Sequence, residues 1–88
     1  MLRLTQTKGN SREVVLKAEG QVVAEWVGLL EGECRKLMNN DERVLLDLAE
    51  VSYADRRGVQ VLRELAKGPL SIINCAPLVQ ELLNEEAL

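Results

Sequence analysis

One stretch near the middle of the chain, residues 43–58, constrains the fold more than any other. It opens with a nearly continuous apolar run formed by Val44, Leu45, Leu46 and Leu48. Such a run is typical of a strand that is covered on both faces at the centre of a sheet. The segment Glu50–Tyr53 is mostly polar and predicts a short turn after that strand.

A helix start is predicted directly after this turn. Asp55 stands just before a new apolar period, where its carboxylate can accept hydrogen bonds from the free amides of a helix N-terminus. Gly58 falls in the first helical turn, where its missing side chain lets the helix pack closely on the strand or lets a partner approach. Free amides and the positive end of the helix dipole concentrate at such a start, so it is a common place for function.

The same stretch resembles the STAS domain, the fold of bacterial anti-sigma factor antagonists. The family pattern is an apolar strand, Asp and Leu, followed at fixed spacing by Val, an aromatic residue, Asp, Gly and Val or Leu. The matching residues are Val44-Leu45-Leu46-Asp47-Leu48, Val51, Tyr53, Asp55, Gly58 and Val59. The resemblance covers nearly the whole chain and implies a regulatory protein that binds other proteins.

Two positions depart from the family pattern. In the family, the residues between Asp and Gly are typically Ser-Ser, or Thr or Ala with Ser, and the hydroxyl just before Gly is the phosphorylation switch. Here these residues are Arg56 and Arg57. The resemblance therefore implies the family's fold without its usual phosphorylation control.

Composition restricts the class of protein and its chemistry. The 88 residues predict one STAS-like domain, 1–88, with an aliphatic core, because the chain has no Phe, one Trp and one Tyr. A net charge of −3 argues against nucleic-acid binding by phosphate neutralisation. The absence of histidine removes the commonest general base and metal ligand. We therefore expect a non-enzymatic chain with no catalytic residue, no metal site and no cofactor.

The chain is expected to be cytoplasmic. Cys34 and Cys75 are far apart and form no CxxC motif, which favours reduced thiols and no disulfide. The first ten residues lack the apolar region of a signal peptide. No apolar run approaches the ~18 residues of a membrane span, so we expect no direct membrane insertion.

Before the central stretch, the sequence predicts a β-hairpin and a helix. The turn cluster Lys8–Ser11 separates a first, alternating strand from a returning strand at Glu13–Ala18, and Gly20 is expected to close the hairpin. A helix is predicted from about Val22 to Met38. Its apolar face is formed by Val22, Val23, Trp26, Val27, Leu30, Cys34, Leu37 and Met38.

Two glycines weaken this first helix. Gly28 and Gly32 each cost roughly 1 kcal/mol relative to Ala in a helix interior. Together with Ala24 they form a stripe of small residues. The stripe indicates either close packing against another helix or a partner, or glycines that are tolerated at the surface.

After the central stretch, the sequence predicts a helix at about Arg56–Lys67, a strand at Leu70–Asn74 and a third helix in which Pro77 occupies the first turn. The second helix buries Val59, Leu62, Leu65 and Ala66, whereas Val61 points away from that face toward water. The last residues, 85–88, are expected to fray. The buried stripe of the third helix is Leu78, Val79, Leu82 and Leu83.

The order β-β-α-β-α-β-α predicts an α/β fold with a small mixed sheet. Strand–helix–strand units make parallel neighbours through right-handed crossovers. We expect four strands with helices mainly on one face, and the STAS resemblance implies the same architecture.

The arginine pair at the second helix start admits two interpretations. Arg56 and Arg57 lie where the helix dipole is already positive, which disfavours cations. One interpretation is an anion site made from two guanidinium groups and free amides, which would bind carboxylates, a phosphate or a nucleotide. The other is a solvated pair that Asp55 and Glu50 compensate.

Three further polar residues near the loop are weaker candidates. Asp47 ends the central strand, and its carboxylate needs donors, so we expect it to tie down the following loop. Ser52 and Tyr53 carry hydroxyls, but neither fills the position that the family phosphorylates.

The sequence supports three hypotheses about function. The first is an interaction module that docks on an anti-sigma factor kinase-like partner, or on another regulatory scaffold, through residues 52–61 and the outer face of the second helix. The second is a cytosolic accessory subunit of a membrane transporter, and the third a small nucleotide-binding domain, although no P-loop is present. The oligomeric state is not predicted. The candidate partner-binding residues are Ser52, Tyr53, Asp55, Arg56, Arg57, Gly58 and Val61.

Overall fold

The computed structural model describes residues 1–9 and 12–85. Parts of the predicted 8–11 turn and of the tail 85–88 therefore lie outside the described residues. The elements follow the predicted order β-β-α-β-α-β-α. The strands are β1 (Leu2–Lys8), β2 (Glu13–Val22), β3 (Arg43–Ala54) and β4 (Leu70–Ile73). The helices are α1 (Glu25–Met38), α2 (Arg56–Leu65) and α3 (Pro77–Glu85).

The described strands form one mixed sheet in the order β1-β2-β3-β4. β1 runs antiparallel to β2, whereas β2 and β3, and β3 and β4, are parallel. The chain is thus an α/β fold with a four-stranded mixed sheet, as predicted. The two parallel pairs place the starts of α1, α2 and α3 at the same edge, beyond the C-terminal ends of β2, β3 and β4.

One face of the sheet carries the core, and the other is open. Along β3, Val44, Leu46 and Leu48 are fully buried, whereas Leu45 and Asp47 between them are only half-buried. This alternation shows that the helices cover a single face. The prediction that the central strand is covered on both faces is therefore wrong, because a continuous apolar run does not require a second helical layer.

β3 does not turn at Glu50–Tyr53, and this sequence prediction is also wrong. The strand continues to Ala54 because β2 extends alongside it. Gly20, predicted to close the hairpin, lies inside β2 with φ of 117°, and the pairing of β2 with β3 shifts register there. A Cβ at Gly20 would clash with the carbonyl oxygen of Met1, so glycine permits this irregular strand.

α1 begins later than predicted. Val22 is the last residue of β2, and Ala24 precedes the helix with φ of 51°, so the small-residue stripe keeps only Gly28 and Gly32 within α1. Trp26 is half-buried and packs against the core, as predicted. The buried residues of α1 are Val27, Leu30, Cys34 and Leu37.

Three predictions about helix faces are wrong. Val61 is buried, with 6% of its surface exposed, because α2 contacts α1, α3 and β3 and so buries a wide arc. Ala66, predicted to be buried, is exposed at the C-cap of α2. Leu78, at the margin of the α3 stripe, is 50% exposed.

Cys34 and Cys75 are both free thiols. Cys34 is buried in α1, and Cys75 lies between β4 and α3. The described helices are all too short or too polar to traverse a lipid bilayer.

Candidate functional site

Asp55 holds together the two loops at the C-terminal edge of the sheet. Its Oδ1 accepts a hydrogen bond from the Gly58 amide at 2.8 Å, and its Oδ2 accepts one from the Ala24 amide at 2.9 Å. Its own amide donates to the carbonyl oxygen of Val22 at 3.1 Å. The predicted N-cap is confirmed, and the same carboxylate also fixes the start of α1.

Gly58 allows α2 to approach β2 closely. A Cβ at this position would clash with the carbonyl oxygen of Val22 and lie 3.1 Å from its Cγ1. The missing side chain therefore serves packing within the chain, the first of the two roles predicted for it. Since Gly58 is buried, it shapes the loop and is not itself part of the exposed surface.

Ser52 and Tyr53 lie near the C-terminal end of β3, at the edge of the site. The Ser52 hydroxyl donates to the carbonyl oxygen of Gly20 at 3.3 Å. Tyr53 pairs in register with Gln21, and its side chain is 43% exposed. Both hydroxyl-bearing residues therefore face the surface beside the start of α2, and Tyr53 offers an exposed aromatic ring.

Arg56 and Arg57 are both exposed in the first turn of α2. The ion pair within the described residues joins Arg35 to Glu31 on α1, so neither arginine is paired with Asp55 or Glu50. The carboxylate of Asp55 is instead used by two backbone amides. Any compensation by Asp55 or Glu50 therefore acts without an ion pair, and two exposed guanidinium groups extend from the positive end of a helix dipole.

The surface of α2 that faces away from the core continues this positive charge. We call it the outer face of α2. Residues 56–67 carry four cationic side chains and one carboxylate, a net charge of +3 in a chain of net charge −3. The residues of the outer face are Arg56, Arg57, Gln60, Arg63 and Glu64 of α2, together with Lys67 just beyond its C-cap.

A shallow groove of about 440 Å³ follows this outer face. Gln60, Arg63, Glu64 and Lys67 line it. Arg63 also donates from Nη1 to the carbonyl oxygen of Leu83 at 2.8 Å, which ties α2 to the last turns of α3. The charge at Arg56 and Arg57 thus extends along a helix that is held in place at both ends.

Asp47 lies away from this edge and has a local role. Its Oδ1 accepts a hydrogen bond from the Ala49 amide at 3.0 Å. It therefore ties down the following backbone as predicted, although that backbone is an irregular part of β3.

Both cysteines are held as neutral thiols. Burial raises the pKa of the Cys34 thiol to about 12, and burial also raises the pKa of Cys75, so both thiols are protonated near neutral pH. Within residues 1–9 and 12–85, no group of three or more Cys, Asp or Glu side chains could hold a metal ion.

Of the seven predicted site residues, two are buried and five lie at or near the surface. Ser52, Tyr53, Arg56 and Arg57 are exposed around the end of β3 and the start of α2, with Asp55 half-buried between them in the chain, whereas Gly58 and Val61 are buried. Sequence reasoning missed the role of Ala24, whose amide binds Asp55. Sequence reasoning named the outer face of the second helix as part of the docking surface but did not note its positive charge, which counting charged residues along the helix would have shown.

Comparison with known proteins identifies the fold. The unphosphorylated anti-sigma factor antagonist SpoIIAA superposes with a TM-score of 0.67 at 16% identity, over 93% of this chain and 82% of SpoIIAA. The fold is SpoIIAA-like. The STAS domain of an anti-sigma factor antagonist from Rhodobacter sphaeroides gives a TM-score of 0.64 at 20% identity, over 83% of this chain and 86% of that domain.

A third solved structure of this fold matches almost the whole chain. It is an uncharacterised protein from Shewanella loihica with a SpoIIAA-like fold, with a TM-score of 0.59 at 15% identity, over 98% of this chain and 75% of that protein. No protein-family model matches the sequence, and no curated protein matches it. At these identities the similarity establishes the SpoIIAA-like fold alone.

Proposed function

We propose that this chain is a non-enzymatic regulatory module that binds an acidic protein surface in the cytoplasm. The docking surface is residues 52–57 together with the outer face of α2. The observation that carries this proposal is the charge of +3 on residues 56–67 in a chain whose net charge is −3. The SpoIIAA-like fold supports it, because the similar proteins include anti-sigma factor antagonists.

Recognition combines shape with charge. The Asp55 hydrogen bonds hold the start of α2 against β2, so little conformational entropy is lost there on binding. The guanidinium groups of Arg56 and Arg57 match carboxylates in geometry and charge. Tyr53 adds an amphipathic ring of the kind enriched in interfaces. An acidic partner surface would also be attracted at long range, which raises the association rate.

The partner class follows from the family resemblance. We propose an anti-sigma factor of the kinase type as the partner. The alternative is that this chain is a cytosolic accessory subunit of a membrane transporter. Purification of the chain from its native cells under mild conditions, with identification of any stoichiometric partner, tests the interaction. A partner that fractionates with membranes would favour the transporter alternative, and recovery of no stoichiometric partner would count against the whole proposal.

The arginine pair also bears on regulation. We propose that Arg57 occupies the position at which STAS proteins carry the phosphorylated hydroxyl. Phosphorylation adds nearly two negative charges, whereas Arg57 is permanently positive and offers no hydroxyl. A kinase that is active on ordinary STAS proteins should therefore leave this loop unlabelled, and the module would be constitutively active or regulated elsewhere.

Charge reversal at Arg57 tests the docking surface. With the identified partner, Arg57→Glu should weaken binding by about 2–5 kcal/mol if the contact is desolvated, and Arg57→Ser should cost less. Glutamate suits a helix N-terminus better than arginine, so Arg57→Glu should melt no lower than the unchanged protein. Isothermal titration and thermal melts measure the two effects separately.

Arg43→Glu is the matched control for this experiment. It makes the same change in net charge at an exposed residue that begins β3, whereas Arg57 lies beyond the end of that strand. Binding by Arg43→Glu should stay close to that of the unchanged protein. If Arg57→Glu binds as tightly as the control, the loop is not the docking surface and the two arginines are a solvated pair.

A further inference from the structure

A second surface, on α1, is separate from the one proposed for the regulatory partner. Glu25, Leu29, Gly32 and Lys36 follow one another at spacings of four, three and four residues. At 3.6 residues per turn, these spacings place them in a single line along the helix. We call this the α1 line. All four residues are exposed, and Leu29 is one of the exposed large apolar residues of the described chain, at 44%.

Contacts within the described chain do not account for the α1 line. A Cβ at Gly32 would meet nothing within 4 Å, so the protein's own packing does not require glycine, which is among the poorest helix formers. The ion pair on α1 joins Arg35 to Glu31 and leaves Glu25 and Lys36 out. The line therefore presents a carboxylate, an apolar side chain, a gap and an ammonium group, in that order, to solvent.

We propose that two copies of this chain associate through antiparallel packing of their α1 helices. A twofold axis between Leu29 and Gly32 places Leu29 of each copy over Gly32 of the other. The same axis places Glu25 of each copy beside Lys36 of the other. The same four residues of each copy thus form both sides of a symmetric, isologous interface. In this interface each Leu29 packs where Gly32 of the other copy has no side chain, and an ion pair lies on either side.

The order of the charges along the α1 line favours antiparallel packing and favours a second copy of the chain as the partner. Parallel packing would bring Glu25 against Glu25 and Lys36 against Lys36, which repel. Antiparallel packing pairs opposite charges twice, at sites separated by ~16 Å along the helix axis at 1.5 Å per residue. The α1 line of one copy is thus complementary in charge to the α1 line of a second, antiparallel copy.

The association should be weak and dependent on concentration and salt. One helix pair buries less surface than the ~1,600 Å² of a standard protein interface, and exposed ion pairs are screened by salt. Sedimentation equilibrium from about 10 μM to about 1 mM protein covers the range in which such weak complexes form. The average mass should rise above the 9.8 kDa of one chain as concentration increases, and less so at high salt.

Exchange of the two charges provides the decisive test. Glu25→Lys alone and Lys36→Glu alone each create two like-charge contacts in the antiparallel dimer, so each variant should self-associate at least about tenfold more weakly. An equimolar mixture of the two restores opposite charges at both contacts. The mixture should therefore regain association close to that of the unchanged protein. Far-UV circular dichroism checks that both variants remain folded.

Matched controls lie away from both proposed surfaces. Glu81→Lys on α3 and Lys8→Glu on β1 make the same charge changes at exposed residues off the α1 line and should leave self-association unchanged. The proposal is overturned if the unchanged protein stays at the mass of one chain throughout the range, or if the mixture associates no better than either variant alone. Loss of self-association by either control variant would place the interface away from the α1 line and would equally overturn it.

Discussion

Two glycines with opposite surroundings show what single residues contribute to stability. A Cβ at Gly58 would clash with the Val22 carbonyl oxygen, whereas a Cβ at Gly28 would meet nothing within 4 Å. We expect Gly58→Ala to lower the free energy of unfolding by about 1–3 kcal/mol through overpacking. Gly28→Ala should raise it by about 0.5–1 kcal/mol. Urea denaturation measures both, and a Gly58→Ala variant of unchanged stability would show that α2 does not pack closely on β2.

Cys34 gives stability a predictable dependence on alkaline pH. Burial raises the pKa of its thiol from 9.0 to about 12. Above pH 9 the unfolded chain loses this proton while the folded chain keeps it, so the free energy of unfolding falls as pH rises toward 12. The contribution to the slope approaches about 1.4 kcal/mol per pH unit.

The variant Cys34→Ala isolates this effect. Its lost packing lowers stability by an amount that does not depend on pH, and it has no thiol to titrate. Urea denaturation between pH 8 and pH 11 should therefore show the two stabilities converging as pH rises. Parallel curves for the two proteins would mean that the thiol is not held protonated by burial.

At the scale of elements, α2 has one face that packs in the core and one that carries charge at the surface. Its buried arc holds Gly58, Val59, Val61, Leu62 and Leu65, while its outer face carries the positive charge. Because α1, α3 and β3 all contact α2, a residue of the buried arc cannot dock a partner without local unfolding. The consequences of mutation should therefore divide sharply between the two faces.

Val61 provides the test of that division. We expect Val61→Ala to lower the free energy of unfolding by about 1–2 kcal/mol, because a buried side chain is truncated. Gln60→Ala, at the adjacent exposed position, should change it by less than about 0.5 kcal/mol. Equal urea midpoints for the two variants would contradict the burial of Val61.

At the scale of the whole molecule, one sheet face, three helices and an aliphatic core form a single packed unit within the described residues. The core cluster draws on β1, β2, β3 and β4 and on all three helices. A small unit of this kind is expected to unfold cooperatively. The outer face of α2 is positively charged, whereas the rest of the chain carries a net negative charge. This asymmetry would orient the molecule toward an acidic partner.

Trp26 reports on this cooperative unit. It is half-buried and packs against the core, so its emission should be blue-shifted in the native state and should move to longer wavelength on unfolding. Urea transitions followed by Trp26 fluorescence and by far-UV circular dichroism should coincide. A native emission maximum like that of free tryptophan in water would show that α1 is placed wrongly.

The sequence by itself determined the features whose causes are local. The order of strands and helices follows from apolar periodicity, the cap at Asp55 from a carboxylate that precedes an apolar period, and the start of α3 from Pro77. Each depends on residues within a few positions of one another. Local signals of this kind are enough to locate the start of α2, and with it Arg56 and Arg57.

The tertiary structure alone decided what depends on distant neighbours. Glu50–Tyr53 is strand and not turn because β2 supplies hydrogen-bonding partners that lie more than 30 residues away in the chain. Val61 is buried because α2 meets two other helices, and Leu45 is half-exposed because the helices cover one sheet face only. The Asp55 carboxylate likewise accepts a hydrogen bond from the amide of Ala24, 31 residues away in the sequence. Pairing and burial of this kind are set by the packing of whole elements, which no local pattern of residues encodes.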